Sequence, residues 1–134
     1  MASPAAETLW DVVHEELGED LRGVCRYEGI DAEFILRDDI RSQYSESERR
    51  SVVDTAITNQ ISAPTIVRAL KAGALDATVH VLEEAWVLVY PDVLPGKSGY
   101  LISADRHTSD DAMQQAGTCI ELLSAETPLS AGDR

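Results

Sequence analysis

Apolar residues recur along this chain with two spacings, one typical of helices and the other of strands. Three segments have the helical spacing. The first begins at Pro4, and the last is capped by Thr108 or Ser109. The middle one begins at Ser45 and Glu48, which have the spacing of a capping box. The buried stripes of the three helices are predicted to contain Leu9, Val13 and Leu17; Val52, Val53, Ala56, Ile57 and Ile61; and Met113, Ala116, Ile120 and Leu123.

A proline interrupts the middle helical segment at position 64. Proline lacks the N–H that a helix needs, and its ring clashes with the preceding turn. We therefore expect the helix to break there. A short second helix is predicted over about residues 64 to 72, and it ends at Gly73.

The strand spacing occurs in five segments. Residues 22 to 38 predict a β-hairpin with a turn at Gly29-Ile30-Asp31, and three more strands are predicted in 77–83, 85–90 and GYLISAD. Residues 85 to 90 are apolar at every position, which is typical of a strand covered on both faces. The order α-β-β-α-β-β-β-α therefore predicts an α+β fold: a five-stranded antiparallel sheet, in strand order 2-1-5-4-3, with helices on both faces.

The length of 134 residues predicts a single domain over residues 1–125 and a short polar tail at 126–134. A chain of this size buries about two-thirds of its unfolded surface, so it needs neither a metal nor a disulfide to fold. No stretch approaches the ~20 apolar residues that span a bilayer. The first residues also lack the basic and apolar regions of a signal peptide. These features favour a cytoplasmic protein with no membrane partner.

The charge balance is strongly acidic. There are 24 Asp and Glu against 11 Lys and Arg, which gives a formal net charge of −13, and Lys71 and Lys97 are the only lysines. Such a field repels nucleic acid, because phosphate binding needs clustered cations. One interpretation is that this is simply an acidic protein of a mesophilic organism, without any adaptation to salt. The other is adaptation to molar salt, where self-repulsion is screened to ~3 Å. The scarcity of lysine favours the second interpretation.

Three phrases in the chain, LRGVCRYEG, LRDDIRSQYSESE and AGALDATVHVLEEAWVLVYP, resemble a group of small acidic uncharacterised proteins of halophilic archaea. The order of elements also resembles the roadblock (longin/profilin-like) architecture, best over Ala77 to Leu123. The first resemblance implies a salt-rich cytoplasm and no particular activity. The second implies a dimeric platform, in which the middle helix and the neighbouring strand supply the dimer contact. It also implies a small GTPase as a possible partner, without assigning any residue to that contact.

Asp105 and His107, at the predicted end of the last strand, are candidates for catalysis. Asp105 could orient His107 as a general base. However, no serine or cysteine stands in a nucleophile-elbow motif, so we interpret this segment as a loop that leads into a helix. A small enzyme or ligand-binding domain that uses the Asp105–His107 end is the alternative hypothesis.

Two further motifs lack part of the pattern that their chemistry needs. Gly96-Lys97-Ser98 is similar to the end of a phosphate-binding loop, but Pro91 stands where that loop has its first glycine, and a strand follows. His14 lacks the second histidine of a zinc helix, because Gly18 occupies that position. We therefore assign no catalytic residue, no cofactor and no metal ligand.

The cysteines and three arginines each allow two interpretations. Cys25 and Cys119 are interpreted as small core residues, although a redox pair would be possible if their Cα atoms lay within ~7 Å. Arg22, Arg26 and Arg37 on the predicted hairpin could grip a phosphate or carboxylate. They could equally form a solvated face that is balanced by carboxylates across the strands, and we favour that interpretation.

The interaction hypothesis has the better physical support. The alternating strand 77–83 is predicted to be an edge strand, and an edge offers unpaired backbone groups to a partner. The middle helix has more apolar residues than one buried stripe needs. The additional ones either close the monomer core or form a contact surface. We predict a non-catalytic protein-interaction or regulatory module that self-associates as a homodimer or binds another protein. Its candidate surface consists of Ile61, Ile66, Val67, Thr78, His80 and Leu82.

Overall fold

The structure, a computed structural model, describes residues 4–92 and 96–125. The helices are α1 (Pro4–Leu17), α2 (Asp38–Arg41), α3 (Glu46–Leu70) and α4 (Ser109–Ala125), and a 3-10 turn at Gly18–Asp20 follows α1. The strands are β1 (Leu21–Glu28), β2 (Asp31–Leu36), β3 (Thr78–Val81), β4 (Ala85–Pro91) and β5 (Ser98–Asp105). This order agrees with the predicted one, to which the structure adds the short α2. The predicted tail at 126–134 lies outside the described residues.

All five strands form one antiparallel sheet in the order β2-β1-β5-β4-β3, which confirms the predicted fold class and strand order. Helices α1 and α4 cover one face of this sheet, and α3 lies on the other. The side chains of each strand alternate between the two faces. In β4, Trp86 and Leu88 therefore face α1 and α4, whereas Val87 and Val89 face the α3 side.

The larger part of the core lies between the sheet and the pair α1–α4. Trp86 and Leu88 are fully buried there, because helices pack directly on β4 from that side. Their neighbours in the cluster include Leu9, Val13, Val24, Ile102, Ala116 and Cys119. The predicted stripe of α4 is wrong at one position, since Met113 is 57% exposed.

The core on the α3 side is smaller. Its buried members are Cys25, Tyr27, Val53, Ala56 and Leu101. Helix α3 buries a single row of side chains, so the predicted wider stripe is wrong at its margins. Val52 is 37% exposed and Ile61 is 51% exposed. The sheet is therefore fully covered on one face and only partly covered on the other.

The predicted helix break at Pro64 is wrong, because α3 continues through Pro64 to Leu70. The proline removes only the hydrogen bond that its own nitrogen would donate to the Gln60 carbonyl. The helix is continuous on both sides of the proline. Ala63, directly before the proline, is buried and helps to hold the helix on the core. Packing therefore outweighs the local preference for a break.

The predicted ends of the helices agree better with the structure. Ser45 and Glu48 form the capping box at the start of α3, with the Glu48 amide donating to the Ser45 hydroxyl at 3.2 Å. Thr108 caps α4, since its hydroxyl accepts from the Asp111 amide at 3.0 Å. After α3 the chain turns through Lys71, which has a left-handed backbone, so the helix ends before the predicted residue 72.

Candidate functional site

The candidate surface begins at β3, the last strand of the sheet. Only β4 pairs with it among the described strands, so the outer edge of β3 presents unpaired backbone groups. Thr78 and His80 stand opposite Val89 and Val87, which places them on the α3 face. Leu82 comes at the next alternate position and is 53% exposed. The predicted edge strand is thus an edge, and the predicted surface residues Thr78 and His80 face the incompletely covered side, whereas the exposed Val81 lies on the other face.

The second half of α3 supplies the helical part of the same surface. Ile66 is 60% exposed, and Leu70 lies one turn later and is 69% exposed. Val67, between them, is half-buried. An aliphatic side chain left this far in solvent gives up most of the free energy that its burial would supply. The helix therefore carries apolar area that the monomer does not use.

Helix α3 lies over β1 and β5 and leaves the β4–β3 side of the sheet partly open. Val53 and Ala56 pack against Cys25, Tyr27 and Leu101, whereas Val87 and Val89 of β4 remain half-buried. All six predicted surface residues belong to the two elements on this face, α3 and the β3 edge. Five of the six are exposed, and Val67 is half-buried.

Asp105 and His107, the residues of the enzyme hypothesis, have different partners from the predicted ones. Asp105 accepts hydrogen bonds from Arg37 Nη1 at 2.8 Å and from Arg22 Nη1 at 3.3 Å. His107 contacts Asp20 instead, with 2.9 Å between Nε2 and Oδ1. Because two cations hold its carboxylate, Asp105 does not orient the imidazole of His107.

A chain of polar side chains joins His107 to the buried core. Asp20 also accepts from the Gln115 amide at 3.2 Å, and Gln115 in turn accepts from the Trp86 indole N–H at 3.1 Å. The hydrogen bond that Asp20 accepts from His107 raises the pKa of His107, and the same bond lowers the pKa of Asp20 against the effect of burial. This arrangement connects the 3-10 turn after α1 to α4 and to β4.

A pH titration can measure this contact directly. We expect the imidazole of His107 to titrate above its ordinary pKa of ~6.5. Its stabilising effect is fully present below that value and is lost as the pH rises through the raised pKa. The contribution of Asp20 is present above its ordinary pKa and is lost as the pH falls through its lowered one. Proton NMR of the His107 ring follows the titration.

The Asp20→Asn variant should bring the pKa of His107 back towards its ordinary value, because the hydrogen-bonding carboxylate is gone. Glu19→Gln is the matched control, since it removes the neighbouring exposed carboxylate and the same net charge. An unchanged pKa of His107 in Asp20→Asn would contradict the contact.

The family model for a domain of unknown function (DUF7522) matches residues 7–124. The chain belongs to the DUF7522 family. The match starts inside α1 and ends inside α4, so it includes all five strands of the DUF7522 domain. No curated protein matches the chain.

The three hairpin arginines of this DUF7522 domain do not form one patch. Arg22 and Arg37 lie at the end of the sheet where Asp105 holds them. Arg26 is only 6% exposed, so the predicted solvated face is wrong for this residue. Its guanidinium pairs with Asp92 and Glu28, both at 2.8 Å, and lies over the Tyr100 ring. Burial disfavours its charge, but these bonds outweigh burial and raise its pKa.

The two cysteines lie in separate clusters on opposite faces of the sheet. Cys25 faces α3, and Cys119 belongs to α4 on the other side. Both thiols are free and buried, and burial raises the pKa of each to about 12. They are therefore neutral core residues, as the sequence indicates.

The remaining sequence motifs also lie in ordinary structural settings. Ser98 starts β5, so Gly96-Lys97-Ser98 leads into a strand, as expected. The His14 ring stacks on Trp10, with 5.7 Å between centroids. Within residues 4–92 and 96–125, no group of three or more His, Cys, Asp or Glu side chains is placed to hold a metal ion. No helix in those ranges is long and apolar enough to cross a membrane.

Leu70 was missing from the predicted surface. It lies with Ile66 on the short helix that was predicted over about residues 64 to 72. In the structure, Leu70 follows Ile66 by one turn of α3 and extends the exposed apolar area. The four-residue spacing is the signal that could have found it.

Proposed function

We propose that this DUF7522 domain is a non-catalytic interaction or regulatory module that self-associates as a homodimer. The observation that carries the proposal is the open edge of β3 beside the incompletely covered face of the sheet. A monomer that exposes a short edge strand and several large aliphatic side chains together has the features of a contact surface. The same residues of both copies would form the interface.

In the proposed dimer, the β3 edges of two copies pair across a two-fold axis and join both five-stranded sheets. The backbone pairing fixes the register. The α3 helices then close over the two open β4–β3 faces, which buries Ile66 and Leu70 as apolar anchors. A stable interface of this kind buries about 1,200–2,000 Å² in total.

The roadblock resemblance supports the same arrangement, because in that architecture the middle helix and the adjacent strand form the dimer contact. It is also the basis for proposing a small GTPase as a heterologous partner. That part of the proposal rests on the likeness of the element order alone.

We also propose that the protein works in a salt-rich cytoplasm. The support is the net charge of −13 together with only two lysines. Molar salt screens the repulsion between two copies that are both strongly acidic, and it strengthens apolar association. The dimer should therefore be tighter in molar KCl than in low-salt buffer.

Size-exclusion chromatography with light scattering in molar KCl tests the dimer. The wild type should have twice the monomer mass of 14.6 kDa, which is about 29 kDa. Ile66→Glu should be a monomer, because the dimer would bury its unpaired charge. Met113→Glu is the matched control: Met113 is 57% exposed against 60% for Ile66, but it lies on α4, so this variant should remain a dimer.

Circular dichroism of both variants verifies that the fold is intact. A wild type that stays strictly monomeric at tens of micromolar in molar KCl would refute self-association. So would an Ile66→Glu variant that dimerises as well as the control.

A further inference from the structure

A cavity of about 120 Å³ lies between the sheet and the corner formed by α2 and α3. Its lining is almost entirely apolar, and it opens to solvent beside α3. The strands and helices contribute Cys25, Phe34, Leu36, Ile40, Val52 and Leu101. Protein interiors are normally packed to crystal-like density, so an apolar space of this size leaves dispersion contacts unmade. An apolar group of the right shape would restore them.

Arg49, at the mouth of the cavity, is the cation best placed to meet a ligand. Its Nη1 donates to the Tyr44 carbonyl at 3.1 Å, and no carboxylate of the described residues forms an ion pair with it. The neighbouring arginines differ in this respect. Arg41 pairs with Asp38 at 3.0 Å, and Arg50 pairs with Asp54 at 2.9 Å. Arg49 therefore has donors left for an acidic group.

The cavity continues into a groove along β2 whose charged lining consists of Arg41, Arg49, Arg50, Glu33 and Glu46. Phe34 and Leu36 belong to both spaces, so the apolar wall and the guanidinium groups are contiguous. Glu33 and Glu46 line the same groove, and Asp38 and Asp54 neutralise Arg41 and Arg50, so Arg49 is the guanidinium through which this groove would hold an acid.

We propose that this site binds a small organic acid, with its apolar body in the cavity and its carboxylate on Arg49. An apolar cavity of about 150 Å³ takes up benzene. The body is therefore on the order of a phenyl ring or a branched aliphatic chain of similar size. A guanidinium suits the acid because it can donate two parallel hydrogen bonds to a carboxylate. The groove with Arg49 lies by β2, at the opposite edge of the sheet from β3, whereas the cavity extends across the sheet to Val87 of β4 and so borders the face that the proposed dimer covers.

Isothermal titration calorimetry with phenylacetate and 4-methylpentanoate tests the proposal. At least one of these acids should bind saturably to the wild type. Phenylacetamide, which keeps the ring but has no charge, should bind about tenfold more weakly than phenylacetate, because a charge-assisted pair is lost. Acetate, which lacks the apolar body, should not bind.

Two variants test the apolar cavity and the Arg49 guanidinium separately. Ser103 lines the cavity from β5, so Ser103→Leu should fill it and abolish binding, while a melting temperature at or above that of the wild type shows that the fold is kept. Arg49→Gln should weaken acid binding about tenfold. Arg68→Gln removes an exposed arginine from the far end of α3 and should leave binding unchanged.

Three results would each overturn the proposal. One is the absence of saturable binding of both acids at millimolar concentration. The second is equal affinity of phenylacetate and phenylacetamide. The third is unchanged binding in Ser103→Leu, which would place the ligand elsewhere.

Discussion

Replacing Trp86 by alanine should lower the free energy of unfolding by about 3–5 kcal/mol. Trp86 is fully buried between β4 and the α1–α4 layer, and its indole N–H donates to Gln115. Truncation would leave a large cavity at the centre of the bigger core and would free the Gln115 oxygen that now accepts this bond. Urea denaturation, followed by circular dichroism at constant salt, measures the loss.

Val81→Ala is the matched control for this experiment. Val81 stands opposite Trp86 in the β3–β4 pair but is 42% exposed, so its truncation should cost less than about 1 kcal/mol. Equal losses in the two variants would mean that β4 is not covered by helices on the Trp86 side. The architecture, and the surface argued from it, would then be wrong.

Replacing Gln60 by leucine should be the second large effect, with a loss of about 2–4 kcal/mol. Gln60 is only 3% exposed in α3. Its Oε1 accepts from the Tyr27 hydroxyl at 2.8 Å, and its Nε2 donates to the Ser98 carbonyl at 2.9 Å. Leucine has a similar size but satisfies neither group, so a buried hydroxyl loses its partner. Urea denaturation again gives the difference.

A double-mutant cycle with Tyr27→Phe isolates this contact. The phenylalanine variant removes the hydroxyl, so adding Gln60→Leu to it should cost less than adding it to the wild type, by about 1 kcal/mol. Asn59→Leu, at the exposed neighbouring position, controls for the added apolar surface. Strict additivity of Tyr27→Phe and Gln60→Leu would show that the hydroxyl and the amide do not interact.

The place of Gln60 also explains why α3 lies where it does. The Tyr27 hydroxyl passes over Gly99, where a Cβ would come within 2.7 Å of its oxygen. Only glycine leaves room for the tyrosine to reach across to the helix. A polar residue on α3 thus anchors the helix that carries the proposed contact surface. In the sequence, Gln60 looks like any solvent-facing residue, and nothing local distinguishes it.

The sequence determined the sheet and its layers. Uninterrupted apolar character at positions 85 to 90 required cover on both faces, and the alternation in 77–83 required an edge. The structure has the edge, with His80 exposed on the last strand, but it covers β4 fully only on the face of Trp86 and Leu88, because Val87 and Val89 on the other face are half-buried. These features can be predicted because successive side chains of a strand point to opposite faces of the sheet, so their polarity indicates which face is buried and which is exposed.

Tertiary structure alone decided how much each face is covered and which polar groups meet. It kept α3 continuous through Pro64, because packing of the helix outweighs one lost hydrogen bond. It buried Arg26 between carboxylates and paired His107 with Asp20, 87 residues away in the chain. It also left Arg49 with a cavity beside it. These outcomes depend on contacts between distant segments, and the spacing of residues along a chain carries no record of them.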